Sequence, residues 1–291
     1  INTGHIGDLS SNAFSRDYNG IFPRFPLLNS FLTNVHDRNY NQYSNIIYFS
    51  SGPDFKPDDN IDFQAALNYY FDQSTNFITS GTNNASADTI GKHSNSTNNY
   101  RIGFWDTKNV TNMSSLFSDP SRVTFNQDIG LWNTDNVTNL DSMFYGCTSF
   151  NQNVSTKYNY FSNSISWDVS GVTDKQQVFL NASAFNNGDT AGQSNNPLNW
   201  NIGQATNLQQ MFSGATSFNQ PIDFSDVIID MSGGNTYQYK QWDVSGVKKM
   251  GQLFNGCTSF NQSISKWDTQ KVEDMNEMFK GCTSFNQDLT T

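Results

Sequence analysis

The sequence predicts an α/β solenoid, in which short strands and short helices alternate around coils that stack on one another. A motif of Trp, Phe and Phe-Asn recurs six times between residues 105 and 289. In each copy, one half spaces its apolar residues as a short helix does, and the other half does not. Repetition at about 25 residues is typical of solenoids, because one unit is too small to bury its own apolar face.

Three aromatic or amide positions define every repeat. The tryptophans are Trp105, Trp132, Trp167, Trp200, Trp242 and Trp267. The asparagines of the Phe-Asn pairs are Asn126, Asn151, Asn186, Asn219, Asn261 and Asn286. Stacked identical amides can satisfy backbone groups that each coil would otherwise bury unpaired. We therefore expect both sets to form structural columns, with a row of ligand-binding amides as the alternative for the asparagines.

The first half of each repeat predicts a short helix. Val272, Met275, Met278 and Phe279 have the spacing of one buried helical stripe. A glycine follows one or two residues after the helical Phe, where a left-handed residue often ends a helix. These glycines are Gly146, Gly214, Gly256 and Gly281.

The second half predicts a tight turn at Phe-Asn-Gln and then a short strand through residues such as Ile264 and Trp267. An acidic or amide residue follows each tryptophan and is expected to cap the next helix. These residues are Asp106, Asn133, Asp168, Asn201, Asp243 and Asp268. A calcium site is the minor alternative for this column, since no acidic loop with a central glycine accompanies it.

The motif resembles a known family. The phrase Trp-Asp-Val-Ser-x-Val-x-x-Met-x-x-x-Phe-x-Gly-Cys-Thr-Ser-Phe-Asn-Gln is nearly complete in residues 242–262 and 267–287. It is similar to the mycoplasma-type 25-residue surface repeat of BspA-like leucine-rich-repeat proteins. The resemblance implies a leucine-rich-repeat-like architecture, a cell-surface or secreted location, and adhesion or assembly without catalysis.

The chain divides into two predicted regions. Residues 102–291 hold six repeats with loop insertions, and residues 1–101 are expected to form a divergent N-terminal cap or degenerate repeats. Within the first region, Ile61 to Phe71 predicts a helix, whose apolar face would consist of Ile61, Ala65, Leu67 or Asn68, and Phe71. Asp58, Asp59 or Asn60 would cap it. A self-standing N-terminal domain is the alternative.

Longer insertions separate some repeats and are expected to emerge as loops from one edge. They are Ser155 to Ser164, Asn187 to Asn196, and about Asp223 to Lys240. Aromatic side chains in surface loops are frequent partner contacts. The candidate partner contacts are Tyr158, Tyr160, Phe161, Tyr237, Tyr239 and, at the last repeat, Leu289.

The three cysteines occupy one repeat position, where the fourth repeat has Ala215. A position that accepts alanine is expected to be small and buried. We therefore favour buried thiols at Cys147, Cys257 and Cys282 over a bridge between Cys257 and Cys282, although adjacent coils would allow one.

Composition excludes several function classes. The chain has 26 acidic and 16 basic residues without a basic cluster, which argues against nucleic acid as a partner. No stretch approaches the roughly 20 apolar residues of a membrane span. We find no nucleophile with a base, no zinc spacing and no phosphate-binding loop, so we expect no enzyme activity, metal or cofactor. His5, His36 and His93 lie outside the repeats and are expected on the surface.

Acceptor motifs for N-glycosylation occur at several asparagines. Asn84, Asn95 and Asn153 are the candidates in predicted loops.

The sequence ends soon after the sixth Phe-Asn, where another coil would begin. An uncovered coil exposes apolar surface, so either further residues follow Thr291 or a partner covers the coil. For the second case we hypothesise head-to-tail self-association into a surface filament or appendage. The alternative is a monomeric cell-surface adhesin that binds protein or glycan through the insertion loops. A lectin or glycan hydrolase ranks third.

Overall fold

The regular elements are few in this computed structural model, which describes residues 57, 59–71, 102–160 and 162–289. In these ranges the structure contains one α-helix, α1 (Asn60–Phe71), and four strands. The strands are β1 (Lys157–Asn159), β2 (Ser164–Ser166), β3 (Ser225–Asp230) and β4 (Thr236–Gln241). Three-residue 3₁₀ helices lie at Ile102–Phe104, Pro120–Arg122 and Ser232–Gly234.

The strands form two antiparallel two-stranded sheets. In the first sheet, β1 pairs with β2 so that Tyr158 lies opposite Ile165. In the second, β3 pairs with β4 so that Val227 lies opposite Tyr239. Both hairpins lie mostly in the insertions between repeats, and only Ile165, Ser166 and Gln241 of their strands fall outside the predicted insertions.

The predicted α/β solenoid, with a leucine-rich-repeat-like strand and helix in every coil, is therefore wrong. Within the described ranges, residues 105–289 contain no α-helix, and their strands are confined to the two hairpins. The repeats consist of successive turns. Strand-like pairing between them is limited to isolated parallel bridges, such as Asn207 with Lys249 and Lys249 with Asp274.

A left-handed residue prevents the predicted helix in each repeat. Glu277 has φ 52°, and the equivalent Gln252 has φ 56°. A left-handed side chain costs about 1–2 kcal/mol and reverses the chain path, so the α-helical hydrogen-bond pattern cannot continue through it. The same conformation recurs at Ser115, Ser142, Gln177 and Gln210.

The backbone bonds of this segment go to the neighbouring repeat. The N–H of Gln252 donates to the carbonyl of Asn276 at 2.7 Å, and that of Phe254 donates to Met278 at 3.0 Å. The apolar residues thus have helix-like spacing because the successive turns bury one side of the segment, although the segment is not a helix. The predicted left-handed glycines are confirmed, with φ between 71° and 77° at Gly146, Gly214, Gly256 and Gly281, but they shape turns instead of ending helices.

Aromatic side chains of neighbouring repeats form the core. The first Phe of each repeat packs on its equivalent, as Phe179 does on Phe212 with ring centroids 5.6 Å apart and planes within 5°. The second Phe forms a parallel column, for example Phe185 on Phe218 at 5.9 Å. The indole of Trp167 stacks on that of Trp200 at 6.1 Å. Each buried ring removes a large apolar area from water.

Helix α1 lies against the first repeat. The predicted helix is confirmed, and the Asp59 carboxylate accepts the N–H of Ile61 at 2.8 Å as its cap. Its buried face agrees with the prediction at Leu67 but differs at two positions, because Phe63 is buried and Ile61 is 77% exposed. The ring of Phe63 meets Trp132 edge to face at 5.5 Å. The predicted boundary at residue 101 stays a prediction, since residues 72–101 are outside the described ranges.

All three cysteines are free thiols, as we had favoured. Each donates to the carbonyl of the first Phe in the preceding repeat, as Cys257 does to Phe212 at 2.9 Å. Cys282 donates to Phe254 at 2.8 Å. Burial raises the pKa of the Cys147 thiol to about 12, which keeps it protonated.

The Phe-Asn asparagines form a continuous ladder. The side-chain oxygen of each accepts the backbone N–H of its equivalent in the next repeat, as Asn219 does from Asn261 at 2.8 Å. The same bond joins Asn261 to Asn286 at 2.9 Å. The glutamine after each asparagine adds a second bond in several repeats, for example Gln262 to Asn219 at 2.9 Å. The ladder satisfies main-chain donors at a tight turn where no sheet is present.

We predict that Asn219→Ala destabilises the fold far more than Asn286→Ala does. Asn219 accepts two hydrogen bonds and donates a third to Gly192, whereas the side chain of Asn286 accepts none within the described chain. The unsatisfied partners should cost about 1–3 kcal/mol of unfolding free energy. Chemical denaturation followed by Trp fluorescence measures both variants. Equal losses would contradict the ladder's role.

Candidate functional site

One surface of the last repeat is the candidate site. We call it the end face, and it comprises residues 272–286 on the side that points away from the fifth repeat. Phe279 and Phe285 are half-buried and pack on each other at 4.3 Å. Met275 is 42% exposed, although its equivalent Met250 is fully buried by the following repeat. The end face is therefore the same kind of apolar surface that, in each of repeats one to five, the following repeat covers.

Main-chain N–H groups line the end face. In the fifth repeat, the N–H groups of Met250, Gln252, Phe254 and Gly256 donate to carbonyls of the sixth at 2.7–3.0 Å. The equivalent donors of the sixth repeat have no acceptor among the described residues, and they are the N–H groups of Met275, Glu277, Phe279 and Gly281. Four donors at regular spacing beside apolar rings can bind a polypeptide segment that presents carbonyls.

A side-chain ladder also runs to the end face. Gln177 donates to Gln210 at 2.7 Å, and Gln210 donates to Gln252 at 2.5 Å. Gln252 then donates to the carboxylate of Glu277 at 2.9 Å. Hydrogen bonds from Lys280 and Gln252 lower the pKa of Glu277, so the ladder ends in an ionised acceptor.

The acidic or amide column after the tryptophans does not cap helices, which corrects the prediction. Each side chain instead accepts the N–H two residues later, as Asp168 does from Ser170 at 2.9 Å. Asp243 accepts from Ser245 at 3.1 Å in the same way. These are Asx turns, and they fix the corner that follows each indole.

The indole N–H of each tryptophan from Trp132 onward donates to a carbonyl of the preceding repeat. Trp200 donates to Val154 at 2.7 Å, and Trp267 donates to Ile222 at 3.0 Å. The tryptophans therefore hold neighbouring repeats together and leave no polar atom for a ligand at these positions.

The insertion tyrosines lie within the protein's own contacts. Tyr158 and Tyr239 are buried, and the Tyr239 hydroxyl donates to the Asn199 carbonyl at 2.6 Å. Tyr237 is half-buried and donates to the Asp168 carboxylate at 2.7 Å. Tyr160 is half-buried and packs edge to face on Tyr158 at 4.6 Å. Of the six predicted contacts, Leu289 is 51% exposed and Phe161 lies outside the described residues.

The two hairpins meet, which explains the burial of these tyrosines. The hydroxyl of Tyr158 bonds to Ser232 at 2.7 Å and to Asn163. Ser232 lies in the turn between β3 and β4, whereas Asn163 lies between β1 and β2. The insertions therefore fold over the repeats as a connected layer and do not project as separate loops.

The predictions from the sequence do not include Lys175, a buried basic side chain. Lys175 is fully buried at a position where the other repeats have Met113, Leu140, Leu208, Met250 and Met275. Its ammonium nitrogen donates to the Val172 carbonyl. Burial lowers the pKa of Lys175 to about 7, although Asp168 and Asp174 act in the opposite direction. Comparing the repeats column by column would have revealed this residue.

The remaining predicted sites are only partly described. Asn153 is half-buried, and its side-chain oxygen accepts the N–H of Ser155 at 3.0 Å. Asn84, Asn95 and the three histidines lie outside the described residues. In the described ranges, no group of three His, Cys, Asp or Glu side chains could hold a metal ion. No helix there combines the length and apolarity that crossing a membrane needs.

Comparison with known proteins identifies a relationship for the second part of the chain. Residues 156–232 and 222–291 match the model of a family described as Mycoplasma protein of unknown function, DUF285. The two segments overlap and together cover slightly less than half of the chain. No curated protein and no solved structure matches it. The repeats from the third onward are thus similar to that family, whose description carries no activity.

We predict that Lys175→Met stabilises the protein, because it replaces a buried amine by the residue of the neighbouring repeats. The gain should be about 1–4 kcal/mol at neutral pH. Between pH 7 and the ordinary lysine pKa of 10.5, the unfolded chain holds a proton that the folded chain has lost. Wild-type stability should therefore rise with pH in that window, and the advantage of the variant should shrink.

Denaturation at pH 6, 8 and 10 tests this prediction. Lys248→Met is the matched control, because the Lys248 side chain is 57% exposed. A variant that is no more stable than wild type at pH 6 would contradict the cost assigned to Lys175.

Proposed function

We propose that this chain is a non-catalytic structural protein of the cell surface or extracellular space, and that its copies associate head to tail through the end face. The observation that supports the proposal is the row of N–H groups on the sixth repeat that have no acceptor among the described residues. The same row is covered by carbonyls of the next repeat at each earlier position. A surface that already binds a repeat five times within the chain is suited to bind another.

Direction favours a head-to-tail arrangement over a two-fold dimer. Two end faces brought together would oppose N–H groups to N–H groups, which leaves all of them unpaired. The complementary row of carbonyls faces the opposite way in every repeat, toward the preceding one. An interface between two different surfaces does not close on itself and produces an open chain of subunits.

Composition and similarity support the proposed location. The chain has a formal net charge of −10, which suits an exposed protein that stays in solution. The similarity to a Mycoplasma family adds no activity. A structural role needs no catalytic group, so the proposal requires no cofactor or metal.

The alternative role, a monomeric adhesin that binds protein or glycan through the insertion loops, has less support. Tyr158, Tyr237 and Tyr239 direct their hydroxyl groups to partners within the chain. The outer face of the second hairpin instead presents Asp226, Ile228 and Lys240, and aromatic anchors are absent from the outward positions of β3 and β4.

We predict that Met275→Glu abolishes self-association while leaving the fold intact. The substitution places a carboxylate among the end-face rings, where an incoming subunit would desolvate it. Ile228→Glu is the matched control, because Ile228 is also an exposed apolar residue, at 63%, but lies on the second hairpin and not on the end face. Sedimentation velocity across a concentration series should show larger species for wild type and the control only. A wild-type chain that remains monomeric throughout would overturn the proposed function.

A further inference from the structure

The second hairpin has an open edge along β3. At its turn, the N–H of Met231 donates to the Asn235 carbonyl at 2.8 Å, and Met231 is itself extended, with φ −114° and ψ 169°. In an antiparallel pair, the peptide groups of successive residues point alternately toward the partner strand and away from it. Asp226, Ile228 and Asp230 therefore direct their N–H and carbonyl groups away from β4. These groups make no main-chain hydrogen bond to any other described segment.

The outer face of β3 alternates acidic, apolar and acidic side chains. Asp226, Ile228 and Asp230 are exposed, while the residues between them are half-buried. Asp226 lies 3.8 Å from Lys240, but the two side chains are 82% and 57% exposed, so this ion pair is weak. Asp230 lies opposite the uncharged Thr236 and has no ion pair in the described part of the chain. Both carboxylates are thus available to a cation from outside.

The first hairpin does not extend the sheet at this edge. It contacts the second hairpin at the turn, where the Tyr158 hydroxyl bonds to Ser232 at 2.7 Å. Strand β1 lies near β3 without pairing with it, and the two hairpins form separate sheets. A strand that is paired on one side only can accept a further strand on the other.

The charges select the kind of strand that can bind. A second copy of β3 is a poor partner, because antiparallel pairing centred on Ile228 would place Asp226 of one copy opposite Asp230 of the other. Like charges in directly opposed positions are destabilising. A cationic partner is favoured instead, and the formal net charge of −10 would also draw it toward the chain. The edge of β4 offers no such match, since its outward positions include the cation of Lys240.

We infer that the β3 edge is a binding site for an extended peptide segment with a basic, an apolar and a basic residue at alternate positions. The segment adds a third strand to the second hairpin, and its main chain bonds to the outward groups of Asp226, Ile228 and Asp230. Its two cations lie beside the two carboxylates, and its apolar side chain packs on Ile228. Main-chain bonds supply affinity and the alternating side chains supply specificity. The site uses no residue of the end face, so it does not depend on the proposed self-association.

Two proline variants of the full chain test the added strand. Ile228→Pro removes an N–H that points away from β4. Gln238→Pro is the matched control, because Gln238 lies directly opposite Ile228 and its N–H points out of the other edge. The probe is a fluorescein-labelled peptide, Thr-Lys-Thr-Val-Thr-Lys-Thr, and fluorescence anisotropy measures its binding. We expect Gln238→Pro to bind as wild type does and Ile228→Pro to bind about tenfold more weakly.

A double variant tests the charges without changing the main chain. Asp226→Asn combined with Asp230→Asn keeps the shape of both side chains and should weaken binding about fivefold. A peptide with glutamate in place of lysine should bind wild type more weakly still. No detectable binding of the basic peptide to wild type, or equal effects of the two prolines, would overturn the site. Weaker binding by the double variant with no effect of Ile228→Pro would show attraction between surface charges alone and would also overturn it.

Discussion

Main-chain hydrogen bonds between neighbouring repeats are the constraint on which the rest of this structure depends. Around each left-handed residue the N–H groups donate to the repeat that follows, whereas other N–H groups, such as those of Thr138 and Trp167, donate to the repeat that precedes. Turns cannot satisfy their own backbone groups as a helix does. The left-handed residues at Gln252, Glu277 and their equivalents place the donors on one side, and the aromatic columns then bring the partner within reach.

Side chains extend this pairing between repeats instead of interrupting it. The Asn219 oxygen accepts a backbone N–H from the next repeat, the Cys257 thiol donates to the preceding one, and the Trp267 indole does the same. Each of these groups would be costly to bury alone. Their role therefore depends on having a neighbour, which is why the two ends of the repeat series differ so much from its middle.

The sequence was sufficient to align the repeats but not to describe their backbone. Trp105, Phe117 and Asn126 mark equivalent positions without ambiguity, and helix α1 followed from its cap and apolar spacing. The helix predicted at Val272 to Phe279 is wrong. Apolar residues at every third or fourth position are typical of a helix, but they also occur in a series of turns that contains a left-handed residue and buries one side. Nothing in the identity of Gln252 or Ser142 signals a positive φ, since the neighbouring repeat imposes it. Lys175 and Arg122 were visible only as departures from a column.

The orientation of the peptide groups has a local electrical consequence. The N–H groups of Met250, Gln252, Phe254 and Gly256 point toward the sixth repeat, whereas those of Glu273 and Asp274 point back from it to the Lys248 carbonyl. Because the two sets oppose each other, their dipoles do not add along the repeats, and partial charge accumulates only within each row. The cation of Arg122 donates to a carbonyl of one such row, and the carboxylate of Glu277 belongs to a row of N–H donors. Each charge therefore offsets the partial charge of the backbone groups beside it.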